Sequence, residues 1–221
     1  MVDLRDRVLD VVLKYPRYKL IGAYSIVKNM KDKDWEARAT TDLDIRICCD
    51  ICDENNIDHL IKILNDEGLK TTVKLTKSNN FKVFITDETG DFIKVDIEFK
   101  PGNDIESNIK NLKESLRDKL ELVMLISDRE FKNLVDVIIC LHSCYPDGVS
   151  KQDLLDIAKN INLHSIDLET QFSLANKFKP NALNGLTMKE YAIYFDTLIF
   201  GLLEDSISHD CLFKDGKWYN T

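Results

Sequence analysis

The chain has 221 residues, with 30 Lys plus Arg against 38 Asp plus Glu, a formal net charge of −8 and 44% hydrophobic residues. That is enough apolar material for one large domain or two small ones with a true core, and the acidic balance argues against a broad basic surface for DNA or other long nucleic acid. It leaves room for a local basic groove, or for an anionic small substrate held through metal ions. No apolar run nears the roughly 20 residues that cross a bilayer. The N-terminus, MVDLRDRVLDVVLKYP, mixes acids and bases where a signal peptide is uninterrupted, so the expectation is a cytoplasmic protein without a membrane partner. Cys49-Asp50-Ile51-Cys52 has C-x-x-C spacing, and Cys140, His142 and Cys144 lie close in sequence. With no second C-x-x-C, the spacings fit no standard zinc module, and thiols are the default in a reducing compartment.

In chain order, Leu4, Val8, Val11 and Val12 have helical spacing over 3–14, with Pro16 just beyond. Lys19–Ile21 is a short apolar step into Gly22, and 23–30 reads as a second helix. Lys31–Thr41 is a polar loop. Residues 42–49 alternate as a strand, Leu43, Ile45, Ile47 and Cys49 facing one way and Asp42, Asp44, Arg46 and Cys48 the other. A helix follows over 54–67, with Ile57, Leu60, Ile61 and Leu64 on one stripe, Asp53 as cap and Gly68 as terminator. Strands are expected over 70–76, 81–87 and 91–99. In the last, Ile93, Val95, Ile97 and Phe99 alternate with Phe92, Lys94, Asp96 and Glu98.

After Pro101-Gly102-Asn103 the pattern turns helical, over roughly 107–126, 128–145, 151–160, 166–177 and 188–205. Ser150-x-x-Asp153 and Thr187-x-x-Glu190 open two of these as capping boxes, and Phe213–Trp218 forms a short terminal hairpin. The expected organisation is α+β: a mixed β-sheet with flanking helices over 1–102, then an all-α helical domain over 103–221.

The chemistry centres on TTDLDIRI, residues 40–47. Asp42 and Asp44 share one face of a strand. A solvated face explains such a pair. So does a divalent cation, because adjacent like charges repel unless something cationic sits between them, and Mg2+ takes hard oxygen ligands from one or two carboxylates plus substrate phosphates. Asp96 is a third acid, mid-strand and opposite an unbroken apolar set; alone it reads as a surface residue. If its strand neighbours 42–49, three carboxylates converge in the layout of two-metal phosphoryl or nucleotidyl transfer. Upstream, Gly22 ends a strand and begins a helix, where a bare backbone can approach a phosphate and helix N–H groups favour an anion. Most such glycines are only turns.

These pieces resemble the nucleotidyltransferase superfamily, and within it the AbiEii/AbiGii toxin-like enzymes. That family runs an apolar strand into a small-residue turn, then R-x-T-x-D-h-D; here LIGAYSIV is followed by Arg38-Ala39-Thr40-Thr41-Asp42-Leu43-Asp44. A second similar block is Leu116–Leu122 followed by Arg129–Asp136, with Lys119 and Asp136 at the family's catalytic Lys and helical Asp, Lys132 at a basic position and Asn133 where Asp is frequent. Ala23 stands where the family has a second Gly or Ser. The resemblance covers about residues 18–140 and implies transfer of a nucleotide from an NTP with Mg2+. It implies metals on Asp42, Asp44 and Asp96, the last binding a metal or activating the acceptor. Gly22, Ala23, Tyr24 and Ser25 would sit at the triphosphate, and Arg38 and Thr41 would shape the turn before Asp42. Lys119 would neutralise phosphate or orient the base, and Asp136 would position Lys119 or the acceptor. It also implies the toxin role in a toxin–antitoxin pair, with tRNA or protein as acceptor and an antitoxin as partner. Two rival expectations stand beside it: transfer to a small cationic molecule such as an aminoglycoside, and a catalytically silent binding module on the same fold.

Overall fold

The computed structural model describes residues 3–30, 34–50, 54–76, 81–102, 107–125, 131–167 and 182–220. The chain divides into two compact units, residues 1–25 with 39–110 and residues 26–38 with 111–221.

In the first unit, helix α1 (Leu4–Val12) starts where the Asp3 carboxylate accepts the Arg5 amide at 2.8 Å, and it buries Leu4, Val8, Leu9, Val11 and Val12. Strand β1 (Tyr18–Ile21) leads directly into helix α2 (Gly22–Asn29). Then come β2 (Leu43–Cys49), α3 (Glu54–Asp66), β3 (Lys70–Leu75), β4 (Phe81–Thr86) and β5 (Phe92–Pro101). Gly68, at φ +78°, ends α3, with the Leu69 amide returning to the Leu64 carbonyl. The five strands form one mixed sheet in the order β1-β2-β5-β4-β3; β2 and β5 are parallel and the other neighbours antiparallel.

Alternation decides which residues this sheet buries. Leu43, Ile45, Ile47, Val83, Ile85, Val95 and Ile97 are all buried, each contributing about 1.5–3 kcal/mol of apolar transfer. Helices α1 and α3 pack on each other and reach β5 and β3 respectively. Ile63 takes a place in the α3 stripe beside Ile57, Leu60 and Leu64, while Ile61 is half-buried. The Tyr18 hydroxyl, 2.6 Å from His59 Nδ1, ties β1 to α3, and burial pushes the phenol up to about 12. Residues 108–110 cover the outer edge of β1: the Leu20 amide donates to the Asn108 carbonyl and the Lys110 amide to the Leu20 carbonyl.

The second unit is built around α5 (Phe131–Cys144), in which every residue from Asn133 to Leu141 is buried. Helix α4 (Leu112–Leu125) and helix α7 (Met188–Leu203) pack against it. Ile26 and Met30 join this core from the early segment. The Ser150 hydroxyl caps α6 (Lys151–Ile157) by accepting the Asp153 amide. Thr187 and Glu190 form the capping box of α7.

The expectation of an all-α second half is corrected. Strands β6 (Val149–Ser150), β9 (Leu212–Lys214) and β10 (Lys217–Tyr219) make a three-stranded sheet, and β7 (Ala182–Leu183) with β8 (Leu186–Thr187) makes a ribbon. Both hairpins turn on pairs with positive φ, Asn184-Gly185 and Asp215-Gly216, the signature of tight two-residue loops. The helix expected from 107 starts instead at Leu112. Asn111 and Glu114 cap it reciprocally, while Asn108 and Lys110 spend backbone groups on β1. The helix expected over 166–177 and the Asp53 cap fall outside the described residues, apart from 166–167, which are not helical; Cys52 and Arg129 also lie outside.

Candidate active site

In the first unit, the parallel register of β2 and β5 places Asp44 directly opposite Asp96, a juxtaposition no single-strand reading contains. Adjacent strands lie about 4.8 Å apart, so the two carboxylates project side by side. Ile21 flanks Asp44 from β1, and Lys82 flanks Asp96 from β4. Gly22 follows Ile21 at φ +65°, so close to Asp44 that an added Cβ would lie 2.6 Å from its Cγ. Only glycine fits there, on both conformational and steric grounds.

Asp42 lies one position ahead of β2, and its carboxylate takes the Lys94 ammonium at 2.6 Å. The same nitrogen is 3.1 Å from Asp96 Oδ2, while Lys82 Nζ is 3.3 Å from Asp96 Oδ1. Burial lowers the pKa of the Lys94 ammonium, but its hydrogen bonds to Asp42 and Asp96 outweigh that, and the net shift is upward. Thr41 Oγ1 is 3.3 Å from Asp42 Oδ1, and Arg5 holds the Thr40 carbonyl just upstream. A cavity of about 550 Å³ adjoins the acids, with Ile21, Asp44, Lys82, Asp96 and Glu98 among its walls; this is ordinary ligand-pocket size.

Among the described residues no group of three or more His, Cys, Asp or Glu side chains is gathered to hold a metal ion. Instead, Asp42 and Asp96 converge on the Lys94 ammonium. The donor set still suits a hard divalent cation, since it offers carboxylate oxygens already aimed at one positive charge, and Mg2+ often takes one or two carboxylates with substrate phosphates completing its shell.

The side chains beyond Gly22 turn inward. Ala23, Tyr24 and Ser25 are buried. The Tyr24 hydroxyl donates to Asp6 at 2.9 Å, its ring lies under Arg5, and burial with the Asp6 contact pushes its pKa up to about 12. Ser25 Oγ donates to the Gly22 carbonyl at 2.7 Å. What this turn presents is therefore the Gly22 backbone.

Arg38, Lys119 and Asp136 come together in the second unit. Arg38 grips Asp136 with two bonds, Nε to Oδ1 at 2.8 Å and Nη2 to Oδ2 at 3.0 Å. Lys119 Nζ reaches Asp136 Oδ2 at 3.1 Å and Asn133 Oδ1 at 2.8 Å. All four side chains are buried, Asp136 at 1% exposure. Lys132 is exposed. Among the described cysteines, Cys48, Cys49, Cys140 and Cys211 are buried thiols, and burial raises the Cys140 pKa well above its usual value.

Sequence reasoning missed Lys94 and Lys82. The signal for Lys94 was present, because Lys94 and Asp96 share a strand face by alternation. Lys82 required the β4–β5 register.

No protein-family model matches the chain, and no curated protein matches it. Among solved structures it is similar to Cid1, described by its RNA terminal uridylyl transferase activity, at 11% identity and a TM-score of 0.37, covering 96% of this chain and 51% of that one. It is also similar to a cytoplasmic RNA terminal U-transferase, at 10% identity and a TM-score of 0.32, covering 90% of this chain and 64% of that one. The chain thus spans about half the length of the first and less than two thirds of the second. The AbiEii/AbiGii resemblance rests on the motif residues alone. No described helix is long and apolar enough to cross a membrane.

Proposed function

We propose that this chain is a nucleotidyltransferase that moves a nucleotide from an NTP to an acceptor hydroxyl, with Asp44, Asp42 and Asp96 holding a divalent cation such as Mg2+. The observation that supports it most is the β2–β5 register, which sets Asp44 beside Asp96 with the Gly22 turn against Asp44. In the overall reaction the acceptor oxygen displaces pyrophosphate from the α-phosphorus. A bound divalent cation supplies acidity to the acceptor oxygen and screens triphosphate charge. Gly22 offers backbone without a side chain to a phosphate, Lys82 brings positive charge to the cavity wall, and Asp96 holds the cation or helps activate the acceptor. Within the second unit, Arg38, Asp136 and Lys119 hold one another in place.

The R-x-T-x-D-h-D match further supports a toxin of a toxin–antitoxin pair that modifies a tRNA end or a protein. Radiolabelled NTPs incubated with total tRNA, with the protein itself and with aminoglycosides test this reading; label on tRNA or protein is expected. Asp44→Asn should abolish labelling while leaving the fold intact by circular dichroism. Absence of label together with absence of Mg-NTP binding would refute the enzyme. A silent binding module is the competing reading, favoured by the lysines that already neutralise Asp96. Mg-NTP binding without transfer to any acceptor would select it.

A further inference from the structure

The acidic centre carries a cation of its own. Lys94 stands two residues before Asp96 on the same face of β5, and its ammonium bridges Asp42 and Asp96 at 2.6 and 3.1 Å. Asp96 is held from its other oxygen by Lys82 at 3.3 Å. An ammonium and a divalent cation repel and compete for the same carboxylate oxygens. The lysine stem is flexible, and its head is a point charge with three rotatable donors, so Lys94 can leave the carboxylates without disturbing the strand. It is partly exposed, and an arriving triphosphate supplies the new anion for it to meet.

We propose that Lys94 is a resident counter-ion that blocks free divalent cations from the acidic centre and moves onto the triphosphate when metal and nucleotide arrive together. The proposal rests on the nucleotidyltransferase reading above. It gives the site a preference for the metal–triphosphate complex over the bare metal, a coupling between two ligands carried by one side chain. Lys82, paired with Asp96 at 3.3 Å, tunes the same balance more weakly.

The test compares the wild-type protein, Lys94→Met and Lys94→Arg for binding of Mn2+ alone and of the preformed Mn2+–tripolyphosphate complex, followed by water-proton relaxation. Tripolyphosphate removes any dependence on the base. Lys94→Met should bind Mn2+ alone about tenfold more tightly than wild type, within the usual range of coupling between sites, and bind the complex more weakly. Lys94→Arg should retain the wild-type preference. Asp44→Asn combined with Lys94→Met should lose the gained Mn2+ affinity, which places the ion at the acids. Equal Mn2+ affinities in wild type and Lys94→Met, with both binding the complex, would overturn the role of Lys94 and leave the enzyme reading standing. Failure of every variant to bind either probe would overturn both.

Discussion

Asp136→Ala is expected to be strongly damaging in the second unit. The carboxylate is 1% exposed and is shared by Arg38 at 8% and Lys119 at 7%. Removing it takes from the buried guanidinium and the buried ammonium a carboxylate that both contact. Breaking a buried ion cluster in this way costs about 3–5 kcal/mol, against a total stability of about 5–15 kcal/mol. At about 2–4 °C per kcal/mol for a chain of this size, the melting temperature should fall by roughly 6–20 °C. Both tryptophans, Trp35 and Trp218, belong to the second unit, so urea unfolding followed by tryptophan fluorescence reports the affected unit directly. The triple variant Arg38→Met, Asp136→Leu, Lys119→Met removes all three charges together and should recover most of the loss, because apolar residues carry no charge to desolvate. An Asp136→Ala protein within about 1 kcal/mol of wild type would refute the reasoning, as would a triple variant less stable than the single one.

Three further outcomes follow from neighbouring features. Gly22→Ala forces a side chain into the left-handed region, at about 1–2 kcal/mol, and drives its methyl into Asp44; transfer activity should be lost with only a modest fall in melting temperature. His142 stacks on Trp35 at 3.9 Å between ring centroids, and burial holds its pKa below the usual 6.5. Its contribution to stability is therefore complete above about pH 6.5 and declines as pH falls toward the folded-state pKa. Trp35 fluorescence should titrate with a midpoint below 6.5, and His142→Phe should abolish that titration. Lys151, 3% exposed, donates to the Glu204 and Ile207 carbonyls at 2.7 and 3.1 Å, closing the C-terminal end of α7; Lys151→Met should cost about 1.5–3 kcal/mol in chemical unfolding, the usual contribution of hydrogen bonds from a charged donor.

Much of the fold was legible because its elements follow simple periods. Strict alternation marked β2 and β5, and the Thr187–Glu190 box marked the start of α7 to the residue. The terminal hairpin over Phe213–Trp218 was legible from its turn, whereas strands of two residues such as β6, β7 and β8 are too short for alternation to register, and this is how the β6 edge and the β7–β8 ribbon stayed hidden in a helical unit. The site divided along the same line. Asp42, Asp44 and Asp96 were visible as same-face acids, but their mutual distances depend on which strands pair and in what register, information that resides in long-range contacts. The second block shows the complementary case. The resemblance gave Lys119 a role at phosphate or base, Asp136 the positioning of Lys119 or the acceptor, and Arg38 the shaping of a turn, but a helical period reveals a face and not what covers it. Their burial in one ion cluster emerged only when α4 and α5 were packed.

The Arg38–Asp136 pair spans 98 positions of chain, and it has a consequence for synthesis. The first unit is complete once residue 110 has left the ribosome, whereas the second holds residues 26–38 from near the start and everything from 111 onward. At about 5–20 residues per second, Arg38 emerges some 5–20 seconds before its carboxylate partner exists. During that interval Ile26 and Met30 wait without the core they join. The nascent chain is thus most exposed to misassembly between the completion of the first unit and the arrival of α5. Slowing translation just after residue 110 should lengthen that window and lower the yield of folded protein, while the same pause placed before residue 26 should leave it unchanged.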